Sequence, residues 1–404
     1  MHARRHSSLI PAIENGSPVR QDYLVFGAPK IEQSEIDEVV DSIRSGWIGT
    51  GPKVGRFQSM FSEYTGAEHA IALHSCTAAL QLTLIAAGVK SGDEVIVPSM
   101  TFCATANAVI HAGAKPVFVD CESGTMNISS KAIEAAITPR TKAVIPVHMA
   151  GRPCRMDEIS ALAKKNNLLV IEDAAHAIEG VCQGNKIGVI SDASCFSFYV
   201  TKNLVTGEGG MVTTSNDEWA ATIEVLALHG LSKGAWSRYS DEGYKHYEVT
   251  APGFKANMMD LQAAFGIHQL PRIEQYLKRR EEIWQRYDEA FGDLPATIPA
   301  PVRKGDRHAR HLYTLLLDLD ALRVNRDHIL QALHCENIGA GIHFVGLHLQ
   351  PYYKEAFGCR AADFPAATNI SERTISLPLS ARLSDHDVDD VIEAVHKVLK
   401  YYMI

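Results

Sequence analysis

Lys202 stands where an apolar stretch, Ser194 to Val200, gives way to the glycines Gly207, Gly209 and Gly210 and a second apolar segment, Met211–Thr214. A lysine placed where the chain leaves the interior is an ordinary surface residue unless other groups give it work. Asp173 is a second candidate. It follows the predicted strand 168–172 in "VIEDAAHAIEG". An acid at the carboxyl end of a strand either binds a ribose or caps the next helix. No GxGxxG follows an earlier strand, which weakens a nicotinamide reading. The third candidate is "HSCTAALQL" at 74–82. There small and hydroxyl residues sit where a strand becomes a helix. Unpaired N–H groups and the helix dipole suit a phosphate at such a place, and Ser75 and Thr77 add hydroxyls. Each signal is weak alone.

Together, an amine, a strand-end carboxylate and a phosphate cradle match the needs of pyridoxal 5'-phosphate. The lysine supplies the amine that joins the aldehyde. The carboxylate keeps the pyridine nitrogen protonated, so that the ring accepts electrons from a carbanion. At about 4 Å and an effective dielectric near 20, such a pair contributes roughly 4 kcal/mol. That is about three pKa units, enough to keep a weakly basic ring nitrogen cationic at neutral pH.

These residues need a frame. From residue 70 short apolar runs alternate with amphipathic helices: "HAIALHS", "DEVIVPS", "KPVFVD", "TKAVIPVHM", "LLVIEDAA", "DASCFSFYV" and "GGMVTTS" are the runs. Strands apolar on both faces belong to a mostly parallel sheet covered by helices. The fold class is therefore α/β with right-handed crossovers. Ligand groups in such sheets gather at the carboxyl ends of the strands. A long helical stretch, about 259–292, leaves this domain, with a break expected at Pro271. Beyond it, "RHLYTLLLDL" and "RTISLPLS" read as strands. Two amphipathic helices open with caps at Asn325 and Ser384. This is a smaller α+β C-terminal domain. The division expected is an N-terminal arm at 1–24, loosely ordered, a cofactor-binding domain at 25–265 and a small domain at 266–404.

Composition excludes several functions. With 46% hydrophobic and 21% charged residues and a net charge of −8, the chain has the balance of a soluble globular protein. Its densest basic run, "LKRREE" at 277–282, alternates with acids and suits a solvated helix, not nucleic acid. No apolar run approaches the roughly 20 residues needed to cross a bilayer. The first twenty residues lack the apolar centre of a secretory signal. The eight cysteines are scattered and none has metal spacing, so buried thiols in a reducing cytoplasm are expected and a metal site is not.

The residues also carry a resemblance. "SGWIGTGPKV" (45–54), "HSCTAALQL", "DEVIVPSMTFCATANAV" (93–109), "PVHMAGRPCRMDEI" (146–159), "IEDAAHAIEG" (171–180), "SFYVTKNLVTGEGGM" (197–211), "PGFKANMMDLQAAFGIHQL" (252–270) and "HFVGLHLQPYY" (343–353) span most of residues 25–400. Their pattern resembles the DegT/DnrJ/EryC1/StrS family of nucleotide-sugar aminotransferases, which have the aspartate aminotransferase fold (fold type I). The resemblance implies that Lys202 is the Schiff-base lysine and proton shuttle, and that Asp173 pairs with the ring nitrogen. His176 would lie beside the ring oxygen. Thr77, Ala78 and Ser197, in company with Ser75 and Cys76, would hold the phosphate. Phe102 would stack on the ring. Asn257 would reach the phosphate of a neighbouring subunit's cofactor, which implies a homodimer with shared active sites. From sequence alone, an N-cap within its own chain is the favoured reading of Asn257, and Phe102 is equally a core aromatic.

Trp47, Gly49 and His343 are candidate sugar contacts, while His343 and His348 are open to a packing role. Ala256 and Gly49 depart from the tyrosine and threonine frequent in relatives, so the sugar is open. The activity implied is transfer of nitrogen from an amino acid, L-glutamate foremost, to a nucleotide-diphosphate keto sugar, at C4 of a 4-keto-6-deoxy hexose. The alternatives are amination at C3, a sugar dehydratase and a non-catalytic sugar-binding or regulatory protein. Lys202 opposes the dehydratase, whose relatives carry histidine there. A visible absorbance from bound cofactor separates an enzyme from a binding protein.

Overall fold

The computed structural model describes residues 9–232 and 247–404. The apolar runs form β1 (His69–Leu73), β2 (Glu94–Pro98), β3 (Lys115–Val119), β4 (Thr141–Val144) and β5 (Leu169–Asp173). A small hairpin, β6 (Val181–Cys182) and β7 (Asn185–Lys186), precedes β8 (Ala193–Ser197) and β9 (Gly210–Thr214). Among the described residues these give a seven-stranded sheet in the order β1-β9-β8-β5-β4-β2-β3. Pairing is parallel from β8 to β3, and β9 is antiparallel to both of its neighbours. All five residues of β2 and of β9 are buried, as strands covered on both faces must be.

The large sheet is flanked by α1 (Gln33–Ser45), α2 (Pro52–Thr65), α3 (Cys76–Ala86), α4 (Cys103–His111), α5 (Ser130–Ala136), α6 (Met156–Asn166), α7 (Asp217–Ala227) and α8 (Asp260–Gln269). The expected break falls at Pro271: a single 3-10 turn, Leu270–Arg272, separates α8 from α9 (Ile273–Phe291). A second, three-stranded sheet holds β10 (Ala296–Thr297), β11 (Tyr313–Leu317) and β12 (Thr374–Leu377). Around it lie α10 (Arg326–Cys335), α12 (Pro365–Arg373) and α13 (Asp385–Tyr402), while α11 (Pro351–Phe357) packs Tyr353 and Phe357 against Phe118 of the large sheet. Asn325 and Ser384 cap α10 and α13 through their side chains, as expected from their types. Val388, Val391, Val395 and Val398 are each 0% exposed along one face of α13. Each such buried side chain contributes about 1.5–3 kcal/mol over its exposed state.

Two apolar cores sandwich the large sheet and a third fills the small domain. Ile267, Leu270 and Ile273 belong to the first. Ile283, Trp284, Tyr287 and Phe291 belong to the third. The change of core thus falls inside α9, which ties the two sheets together.

Of the arm, residues 1–8 lie outside the described residues. The rest is held against the small domain. The backbone N–H groups of Ala12 and Val19 each donate to the buried Glu336 carboxylate at 2.8 Å. Arg20 pairs with Asp387 and Asp390. The polar composition of this segment does not reveal those distant partners. All eight cysteines are free. Among the described residues, no helix is long and apolar enough to cross a membrane.

Candidate active site

The chemistry-bearing residues converge at the carboxyl end of the parallel strands, where ligand groups gather in open α/β sheets. A cavity of about 470 Å³ there is lined by Ser75, Cys76, Thr77, Phe102, Asp173, His176, Ser197, Lys202 and His343, among others. Its volume is that of a small-molecule site.

Asp173 is the last residue of β5, not the residue beyond it. Its carboxylate is held on both oxygens. Oδ2 accepts from the Thr105 hydroxyl at 2.7 Å, and Oδ1 from the Ala175 N–H at 3.2 Å. Thr105 is oriented in turn by Thr101, 2.8 Å away and one helical turn earlier. Burial raises the Asp173 pKa, against the opposing pull of Thr105, Ala175 and Lys202. A cationic partner facing this carboxylate would relieve that cost.

Lys202 does not sit at the strand end. Four residues separate it from β8, and its N–H closes a turn on the Tyr199 carbonyl at 2.8 Å. Burial lowers its amine pKa from 10.5 to about 8, with Asp173 and Cys76 pulling the other way. Near neutrality a usable fraction of the amine is therefore the neutral nucleophile. His176 and His343 stay neutral too. Burial pushes His176 well down and brings His343 to about 4. The His176 ring lies 4.4 Å from the His311 ring, tilted by 37°, and its Nδ1 is buried without a partner among the described residues.

The Ser75–Ala78 stretch forms the start of α3. Ser75 Oγ accepts the Ala78 N–H at 3.1 Å as an N-cap. This leaves the N–H groups of Cys76 and Thr77 without helical acceptors. Gly210 packs directly behind: a Cβ there would meet the Ser75 carbonyl carbon at 2.4 Å. Ser197, at the end of β8, closes the same side of the cavity. Ala78 itself does not line the cavity. Phe102, at the N-terminus of α4, is 57% exposed and faces Phe344 with ring centroids 5.9 Å apart. That exposure rules out the core-aromatic reading.

Not every expected residue joins this cluster. Trp47 and Gly49 lie on an exposed loop outside the cavity lining. Asn257 also lies outside it. Its Nδ2 donates to Thr50 Oγ1, and its Oδ1 is buried without a partner. Asn257 is not a helix cap, because α8 begins at Asp260. His348 is 0% exposed, bonded to Thr368 at 2.8 Å, and serves packing. Residues missed from sequence include Thr105, Phe344 and His311, all of which reach this site across large sequence separations. Asn203, beside Lys202, bonds His311 Nδ1 at 3.0 Å and donates to Glu179. Buried Glu179 pairs with Arg280 of α9.

The donor set fits pyridoxal phosphate on the structure's own terms. Among the described residues the buried Asp173 carboxylate has no cation within 4.0 Å, an amine of lowered pKa shares its cavity, and helix N–H groups without helical acceptors stand before a glycine-backed turn. Fold and site together define a pyridoxal phosphate-dependent transaminase of fold type I. The model of the DegT/DnrJ/EryC1/StrS aminotransferase family matches residues 29–396, and the chain belongs to that family. It is 52% identical over 382 residues to the spore coat polysaccharide biosynthesis protein SpsC of Bacillus subtilis, covering 94% of this chain and 98% of that one. A putative sugar aminotransferase from Streptococcus pneumoniae, solved in its PLP form, superposes with TM-score 0.87 at 34% identity, covering 95% of this chain and 100% of that one. Helicobacter pylori PseC, an aminotransferase involved in the biosynthesis of pseudoaminic acid, gives TM-score 0.87 at 28% identity, covering 94% and 100%. The protein is thus a sugar aminotransferase that uses pyridoxal phosphate, a sugar and an amino donor.

Proposed function

We propose that the chain moves the amino group of L-glutamate to a keto sugar carried on a nucleotide diphosphate, at C4 of a 4-keto-6-deoxy hexose. The observation that carries the reading is the pairing in one cavity of Lys202, whose amine pKa is brought to about 8, with the buried Asp173 carboxylate. The choice of C4 and of glutamate rests on the family resemblance and not on a side chain in the cavity.

Pyridoxal phosphate, when bound, supplies an electron sink for the carbanion formed at the amino-bearing carbon. Asp173 would hold the ring nitrogen in its cationic form, kept in place by Thr105 and Ala175. Cys76 and Thr77 N–H groups with the Ser75, Thr77 and Ser197 hydroxyls would bind the phosphate, with Ala78 behind them in the turn. Phe102 would cover one face of the ring, and neutral His176 would meet the ring oxygen. Lys202 Nζ would take the proton from the donor's α-carbon and return a proton at the sugar carbon in the reverse half-reaction. His343 lines the same cavity and would border the sugar. Trp47 and Gly49 reach it only if a second subunit brings them there.

We also propose a homodimer with shared sites, working in the cytoplasm. Trp47, Ile48, Phe254 and Met259 are exposed apolar residues flanking Asn257. Gly49 O accepts the Asp260 N–H at 2.7 Å, so the two segments form one surface. The free cysteines are in keeping with a reducing compartment.

The test is a screen of the cofactor-loaded protein with ¹⁵N-labelled glutamate against dTDP-, UDP- and GDP-linked 4-keto and 3-keto sugars, read by mass spectrometry. One 4-keto sugar should gain the labelled nitrogen. Labelling of 3-keto sugars alone would move the reaction to C3, and loss of water without nitrogen would replace transfer by dehydration.

A further inference from the structure

Behind the wall of the catalytic cavity lies a second cavity of about 450 Å³, between the two sheets. The segment Met149–Arg152 separates the two. On its catalytic side, His148 N–H donates to the Asp173 carbonyl at 3.2 Å. On the other, Met149, Ala150 and Arg152 line the second cavity together with Trp284, His308 and Arg310. The transaminase reaction gives this second cavity no task.

Its lining carries two arginines, Arg152 and Arg310, against one carboxylate, Asp288. Arg152 is 8% exposed, and its guanidinium donates only to the carbonyls of Pro301 and Ala300. Arg310 lies over the Trp284 ring at 4.2 Å, and its Nε is buried with no partner. Among the described residues, neither arginine has a carboxylate within 4.0 Å, although buried charges are ordinarily paired. Burial holds each guanidinium below its usual range and Arg310 further depresses Arg152, while Asp306 and Glu122 pull Arg152 the other way and Asp288 and Glu281 do so for Arg310. Asp288 lines the same cavity and accepts the Tyr313 hydroxyl at 2.8 Å; from beyond ion-pair distance it offsets the two guanidinium charges only in part. His308 Nδ1 accepts the Arg310 N–H at 2.9 Å, which leaves its Nε2 as a neutral donor. Met126, Met149, Ile298, Val302 and Leu316 give the cavity an apolar wall, with Thr125, Thr297 and Thr314 also in its lining.

We infer that this second cavity binds a small organic anion, its carboxylate head placed between Arg152 and Arg310 and its apolar body along the Met126–Leu316 wall. Guanidinium groups match the planar, two-oxygen geometry of a carboxylate. The volume lies in the ordinary range for such ligands. Inorganic phosphate shares the charge but would leave the apolar wall unfilled.

The test is calorimetric titration of the cofactor-loaded protein with 4-phenylbutyrate, with 4-phenylbutanol as the uncharged counterpart and inorganic phosphate as the bare anion. The acid should bind saturably, at least about tenfold more tightly than the alcohol or phosphate. Arg310→Met should weaken it by about tenfold or more, because that side chain bonds no backbone group whose loss would unsettle the fold. Arg152→Lys, which keeps charge but loses the planar fork, should weaken it as well. Lys202→Ala should leave the affinity unchanged, which separates this site from the catalytic cavity. Equal binding of acid and alcohol, preference for phosphate, indifference to Arg310→Met, or no saturable binding would each overturn the inference.

Discussion

At the residue scale, the burial of Lys202 beside Asp173 makes stability depend on pH. The unfolded amine titrates near 10.5 and the folded one near 8. Below pH 8 both states carry the proton, and the folded protein bears the full cost of a buried ammonium. Between pH 8 and 10.5 only the unfolded state still binds it, so stability rises with pH across that window. In the cofactor-free protein, Lys202→Met should therefore raise the urea midpoint near pH 7, and the gap should narrow toward pH 10. A gap that holds constant or widens would contradict the shift. Asp173→Asn should retain bound cofactor yet slow both half-reactions on the order of a thousandfold, the equivalent of about 4 kcal/mol. Single-turnover absorbance with glutamate measures this; a native rate would leave Asp173 a structural residue only. Lys202 and Asp173 were legible in the sequence because each follows a strong apolar run. Thr105 was not, because a hydroxyl in the first turn of a helix reads as a solvated end. Its contact with Asp173 bridges 68 residues.

At the element scale, most strands and helices were legible from alternation of apolar runs with amphipathic segments. Pro271 marked the break between α8 and α9, and Asn325 and Ser384 marked their helix starts. The antiparallel placement of β9 between β1 and β8 was not legible, since its buried run looks like the parallel ones. That placement is what brings Gly210 against Ser75. A methyl at Gly210 would meet the Ser75 backbone at 2.4 Å, so either the turn or the strand must move. Gly210→Ala should weaken cofactor affinity by about tenfold or more while the helix content stays native. Equilibrium titration of the cofactor-free variant, with circular dichroism alongside, tests this. Unchanged affinity would mean that the Ser75–Ala78 turn does not depend on its backing. The link from Lys202 through Asn203 and Glu179 to Arg280 was also hidden, because it joins three elements far apart in the chain.

At the scale of the whole molecule, one subunit leaves Asn257, Trp47 and Gly49 outside the cavity that the rest of the site lines. In the homodimer proposed above, a second subunit would cover that surface. A hydrogen bond to a phosphate contributes about 1.5–3 kcal/mol, so Asn257→Ala should weaken cofactor binding about ten- to a hundredfold. In a mixed dimer of Asn257→Ala and Lys202→Ala subunits, the site with intact Lys202 would borrow the partner's intact asparagine and bind natively. If that site is as weak as in the Asn257→Ala homodimer, the contact lies within one chain.

We propose that the buried amine of Lys202 makes this molecule an amino-group transferase. This claim is tested most directly by mixing cofactor-loaded protein with L-glutamate alone, without sugar, and quantifying 2-oxoglutarate in the quenched solution. The native protein should release 2-oxoglutarate in amounts stoichiometric with active sites. Folded Lys202→Ala, its helix content native by circular dichroism, should release none on the same timescale. Stoichiometric 2-oxoglutarate from the folded Lys202→Ala protein at the native rate would contradict the claim.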